Sequence, residues 1–189
     1  MAKTWFASLL RDGFALTVNG ANPAFAPLAR EQLRQTLAAA ELDGGIDEAV
    51  EHIMSGFSEL SCHPDVVDGI HALAGLGLRL VTLSNGSADV ARGLLTDAGI
   101  AASIESSLSV EQAGIWKPGR RAYAYALEHC KVEAADAMLV AVHPWDTDGA
   151  RRAGLSAAWI DRHGGTYPEY FLPPDLHARS LLDLATQPS

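Results

Sequence analysis

The chain has 189 residues, 48% of them hydrophobic, which is enough for one good core with a small appended unit. Its formal charge of −9, with Lys and Arg scattered rather than striped, argues against a nucleic-acid surface. No apolar stretch is long enough to span a bilayer and Met1–Trp5 lacks a signal-peptide layout. Cys62 and Cys130 stand outside any CxxC pattern, so a reduced, cytoplasmic protein is expected.

Residues from about 2 to 18 read as a helix with Trp5, Leu9 and Leu16 on one stripe and Phe6, Leu10 and Phe14 beside it. Asn19–Pro23 breaks it. A second helix runs from about Ala24 to Ala40, with Phe25, Leu28, Leu33 and Leu37 inward. After a turn at Asp43-Gly44-Gly45, Ile46, Val50, Ile53 and Phe57 form a third helical stripe. The first ~60 residues thus read as all-helical.

The pattern changes at Ser61–Pro64 to alternating helices and strands, which implies a parallel sheet with right-handed crossovers. A helix from Asp65 to about Gly75 carries Val66, Ile70 and Leu73 inward. Leu78–Leu83 then reads as a buried strand, and Ser87–Ala98 as a helix with Val90, Leu94 and Leu95 inward, stopped by Gly99. A short strand is expected between Ile100 and Val110, and a helix over Gly119–Cys130 with Tyr123, Ala126 and Leu127 inward. A second buried strand follows at Ala137–Val142. Asp146 is expected to cap a helix to about Ala153. Ser156–Ile160 reads as a third strand, Arg162–Pro174 as loop, and Leu181–Ala185 as a short closing helix.

Ser84-Asn85-Gly86 therefore sits where a strand ends over a helix N-terminus, a place that favours an anion. Trp116-Lys117-Pro118 and His143-Pro144-Trp145-Asp146 occupy comparable loops. Together the three loops bring a hydroxyl, an amide, an ammonium and a carboxylate to one sheet edge. His143 is expected to be a polar wall residue contacting substrate. His52, His63 and His71 have no ligand spacing, so no metal site is expected.

These loops resemble the motifs of the haloacid dehalogenase superfamily, and within it the type II L-2-haloacid dehalogenase-like branch. Thr82–Ser87 resembles the second motif, Lys117-Pro118 the third, and Trp145-Asp146 through Gly149-Ala150 the fourth. Tyr123, six residues beyond Lys117, stands where the dehalogenases place a substrate-site tyrosine. The resemblance implies an α/β fold: a Rossmann-like core, three-layered α/β/α with a parallel sheet, over residues 63–189, and an N-terminal helical cap over residues 1–62. It implies a 2-haloacid dehalogenase or a related hydrolase of C–halogen or phosphoester bonds. Lys117 and Asp146 would be catalytic. Ser84, Asn85, Tyr123 and His143 would bind a small anionic substrate, a carboxylate or a phosphate.

Three departures from the family pattern follow. Family members begin with a strand ending in the aspartate that attacks substrate. Nothing before Trp5 supplies that strand, Asp12 lies mid-helix, and the DxDG at Asp146–Gly149 belongs to the fourth motif. The core is therefore expected to lack its first strand and the chain, as it stands, to be inactive. Phe6 follows Trp5 where the dehalogenases carry a halide-receiving arginine, and Ala141 and His143 replace a serine and an asparagine. Dehalogenase-branch relatives work without metal, so no cofactor is expected; Mg²⁺ would need the absent aspartate. The strands ending at Leu83 and Val142 would flank the gap. They could pair directly, be bridged by a partner chain as in a homodimer, or belong to a truncated gene product. The alternative function is a non-catalytic anion-binding or oligomerising module derived from this fold.

Overall fold

The computed structural model describes residues 1–42 and 44–187. Asp43, part of the expected turn at Asp43–Gly45, lies outside the described residues.

Three helices open the chain: α1 (Ala2–Val18), α2 (Phe25–Leu37) and α3 (Ile46–Ser55), the last continued by a 3₁₀ turn at Gly56–Glu59. The buried stripe of α1 is Trp5, Leu9 and Gly13, one turn apart, rather than the expected Trp5, Leu9 and Leu16. Gly13 takes that place because the Trp116 ring lies against it: a Cβ there would come within 2.5 Å of the indole. Phe57, in the 3₁₀ turn, meets both Trp5 and Phe25 edge-on at 6.1 Å. Ile53 is exposed, so the third stripe is narrower than its spacing suggests.

The remainder alternates as expected: α4 (Val66–Gly75), β1 (Val81–Ser84), α5 (Ala88–Asp97), β2 (Ser106–Ser109), α6 (Val110–Ala113), α7 (Arg120–Cys130), β3 (Met138–Ala141), α8 (Pro144–Ala153), β4 (Ser156–Ile160), β5 (Leu176–Ala178) and α9 (Leu181–Ala185). Ser87 caps α5, its hydroxyl accepting the Asp89 N–H at 3.1 Å. Val90, expected inward on α5, is exposed. Helix α8 begins three residues earlier than expected, with Pro144 at its start and His143 as its N-cap in place of Asp146, so Asp146 lies inside the first turn and is not the cap. The three residues of β5 lie in a stretch for which the sequence sets no element.

All strand pairs are parallel, but they form two sheets, β1-β2 and β3-β4-β5. Among the described residues, no ladder joins β1 to β3, so the two strands do not pair directly. Met138, Val140 and Val142, alternating along β3 and beyond it, are 42%, 36% and 45% exposed. An open cavity of about 330 Å³ lies beside them, lined also by His143, Asp146, Ile160, Arg162 and Leu181.

One hydrophobic cluster joins α1–α3 to Val110, Ala113, Trp116 and Ala122, so the helical N-terminal part and the α/β part share a core. A second cluster sets Tyr123, Ala150 and Leu155 beneath Leu83 and Leu139. Helix α9 packs on α4, where Gly69 lies directly against Leu181. Among the described residues, no helix is long and apolar enough to cross a membrane.

Candidate active site

Strand β1 delivers Ser84 and Asn85 to the loop before α5. The Ser84 hydroxyl accepts the Gly86 N–H at 2.9 Å, which folds the turn and leaves the hydroxyl hydrogen for a ligand. The Asn85 side chain clasps the neighbouring loop. Its Nδ2 donates to the Lys117 carbonyl at 3.2 Å, and its Oδ1 accepts the Lys117 N–H at 2.9 Å. Asn85 thus positions Lys117 rather than presenting a free amide. Trp116 fixes the other side of that loop: it is fully buried, donates its indole N–H to the Pro23 carbonyl at 2.8 Å and stacks on Phe25.

Held this way, Lys117 is 8% exposed and its Nζ lies 2.7 Å from Asp146 Oδ2. Asp146, 4% exposed, sits in the first turn of α8, where the helix dipole favours a carboxylate. Its other oxygen, Oδ1, accepts the Tyr123 hydroxyl at 2.7 Å, and the Asp146 carbonyl lies 3.1 Å from the same hydroxyl. Burial, reinforced by the Asp146 charge, pushes the Tyr123 hydroxyl far above its ordinary range, so it remains a donor. Tyr123 is 1% exposed and its hydroxyl is spent on Asp146, which it supports. Gly149 makes the approach of α8 to α7 possible, since a Cβ there would stand 2.6 Å from both the Tyr123 hydroxyl and Pro118.

The structure thus brings Ser84, Asn85, Lys117, Tyr123 and Asp146 together. His143 joins them at the edge: its carbonyl accepts the Asp146 N–H at 3.0 Å and its ring stacks on Trp145 at 5.2 Å. Burial lowers the His143 pKa, the Lys117 charge lowers it further and Asp146 opposes them, so the ring is neutral at pH 7. The other acids of interest are engaged elsewhere. Asp148 pairs with Arg152 at 2.8 Å and accepts the Leu172 N–H at 2.9 Å, while Asp12 is held by Arg11 and Gln32. Sequence reasoning missed Gly149 as a support and Trp145 as a ring partner; the glycine inside an otherwise regular helix is the signal that marks the first.

The site does not fit a divalent metal. Both Asp146 oxygens are occupied, one by an ammonium that would repel a cation. Among the described residues, no group of three or more His, Cys, Asp or Glu side chains could hold a metal ion.

Parallel strands with charged groups at their carboxyl ends, flanked by helices, define a Rossmann-like α/β protein whose candidate site lies at the strand ends. Residues 4–154 match the family described as haloacid dehalogenase-like hydrolase, and the chain belongs to that family. It is 28% identical over 182 residues to (S)-2-haloacid dehalogenase 1 of Pseudomonas sp. (strain CBS-3), covering 96% of this chain and 79% of that protein. It is 31% identical over 119 residues to haloacetate dehalogenase H-2 of Moraxella sp. (strain B), covering 63% of this chain and about half, 53%, of that one. The solved structure of the L-2-haloacid dehalogenase RSc1362 superposes with a TM-score of 0.88 at 26% identity, covering 96% of this chain and 81% of the other.

Proposed function

We propose that this chain supplies the anion-receiving rim and the buried lysine of a hydrolase acting on small carboxylates with a leaving group on the adjacent carbon, as its named relatives act on haloacetate and (S)-2-haloacids. The observation that carries this reading is the buried Lys117–Asp146–Tyr123 chain of contacts, tied to the Ser84 loop by the Asn85 clasp on the Lys117 backbone. A substrate carboxylate would take the Ser84 hydroxyl hydrogen and the field of the α5 N-terminus. Lys117, oriented by Asp146 from one side and by Asn85 through its backbone, would hold negative charge at the reacting centre.

The family's chemistry requires an attacking carboxylate. Its oxygen bonds to the halogen-bearing carbon, the halide leaves with its electron pair, and water then opens the ester to regenerate the carboxylate and release a hydroxy acid. Asp146, 4% exposed, with one oxygen on the Lys117 ammonium and the other on the Tyr123 hydroxyl, is placed as a support of Lys117 and not as the attacking group. The described residues place no second carboxylate at Lys117. The chain by itself therefore binds carboxylates without turning them over. An added strand between β1 and β3 would be the route by which an attacking carboxylate reaches Lys117. Dependence on a metal or other cofactor is not expected. Purified chain incubated with 2-chloropropionate should release no chloride above the protein-free rate. Release that Lys117→Met abolishes would overturn the inactivity.

A second reading is favoured by the open edge and uncovered apolar face of β3: a non-catalytic relative that self-associates, as a homodimer, through that face.

A further inference from the structure

Helix α1 and the start of α8, far apart in sequence, meet through aromatic rings at the margin of the site. Phe6 and His143 have ring centroids 6.0 Å apart at 30°, His143 and Trp145 lie stacked at 5.2 Å and 14°, and Trp145 takes Phe14 edge-on at 5.1 Å. All four side chains are partly exposed, unlike Trp5 and Trp116, which are buried in the core. Phe6 therefore differs from the neighbouring tryptophan: it packs against the core with one side and meets His143 at the site margin with its ring. The column begins one residue before Pro144 and runs beside the turn that carries Asp146. It offers π faces and apolar edges and, with His143 neutral, no charge of its own.

We infer that Phe6 and His143 form a specificity wall, which favours carboxylates bearing a flat apolar group on the carbon next to the carboxylate over those bearing none. This rests on the reading of Ser84 and Lys117 as an anion-receiving rim, which would fix the carboxylate while the ring edge of the ligand meets the column. Aromatic pairs in offset or edge-on geometry add to plain area burial, enough for about a tenfold change in binding constant. The ring partners of Phe6 are Trp5 and His143, so its effect falls on ligand choice.

The experiment is calorimetric titration of the chain with acetate and with phenylacetate, repeated on Phe6→Ser and Phe6→Leu. Phenylacetate should bind about tenfold more tightly than acetate to the unaltered chain. That ratio should fall to about threefold or less in Phe6→Ser and lie between in Phe6→Leu. In the unaltered chain the His143 ring protons should shift on adding phenylacetate and stay in place on adding acetate, a readout that does not depend on a variant folding. Equal affinities, an unchanged ratio in folded Phe6→Ser, or an unmoved His143 ring would overturn the wall while acetate binding left the rim intact. Failure of both carboxylates to bind would overturn the rim and the wall together.

Discussion

At the scale of single residues, the Lys117–Asp146 pair dominates, because removing one partner strands the other in a buried place. Lys117→Met should lower stability in urea titration by about 3–5 kcal/mol. The double variant Lys117→Met/Asp146→Leu should recover most of that loss, since no unpaired charge remains and Tyr123 keeps the carbonyl at position 146. If single and double variants lose stability equally, the pair is not what the site rests on. His143 gives a pH signature. Burial first, then Lys117, holds its folded-state pKa below the ordinary value, with Asp146 opposing. The unfolded chain thus binds a proton that the folded chain resists. Stability should fall as pH drops from 7 through the ordinary histidine range, and His143→Asn should flatten that slope. Asp65 and Asp148 add a separate acid loss at lower pH. Burial alone would raise both, but the bonds from Arg162 and Leu181 to Asp65, and from Arg152 and Leu172 to Asp148, outweigh it and hold both below the carboxylate range.

At the scale of elements, helix α8 depends on a glycine. Gly149→Ala would drive a methyl into Pro118 and the Tyr123 hydroxyl. Overpacking of this kind costs about 1–3 kcal/mol, and calorimetric melting should show it. Strand β3 offers the other test: Val140→Lys should abolish any concentration-dependent self-association seen by sedimentation, because a charge on that face opposes edge pairing. Unchanged sedimentation would remove the dimer reading. The elements that were legible in the sequence carried long periodic stripes or an apolar run ended by turn residues, as in α1, α2 and β1, although β1 starts only at Val81, is half-buried rather than buried, and leaves Leu78 exposed. What escaped depends on contacts between distant segments. Gly13 replaces Leu16 on the α1 stripe because Trp116, about a hundred residues on, lies against it. Ile53 matches a helical spacing but is 38% exposed. β5 has three residues, too few to show an alternation. The site residues were legible as a set of loops; their roles were not, since spacing cannot show that Asn85 bonds the Lys117 backbone or that Tyr123 lies beneath Asp146.

At the scale of the whole molecule, two parallel half-sheets carry one set of polar groups at their carboxyl ends. The loops from β1 and β3 are held together by side chains rather than by a strand ladder: the Asn85 clasp and the Lys117–Asp146 pair. The shared hydrophobic cluster ties the N-terminal helices to the loop bearing Lys117. The polar groups all belong to the α/β part, whereas the column of rings joins the two parts, Phe6 and Phe14 from α1 meeting His143 and Trp145 at the start of α8. The direct test is an amide chemical-shift titration with 2-chloropropionate. The amides of Ser84, Asn85, Gly86 and Lys117 should move together and saturate at one ligand concentration. Saturating ligand that leaves those four amides unmoved, or moves only residues away from the strand ends, would contradict the anion-receiving rim.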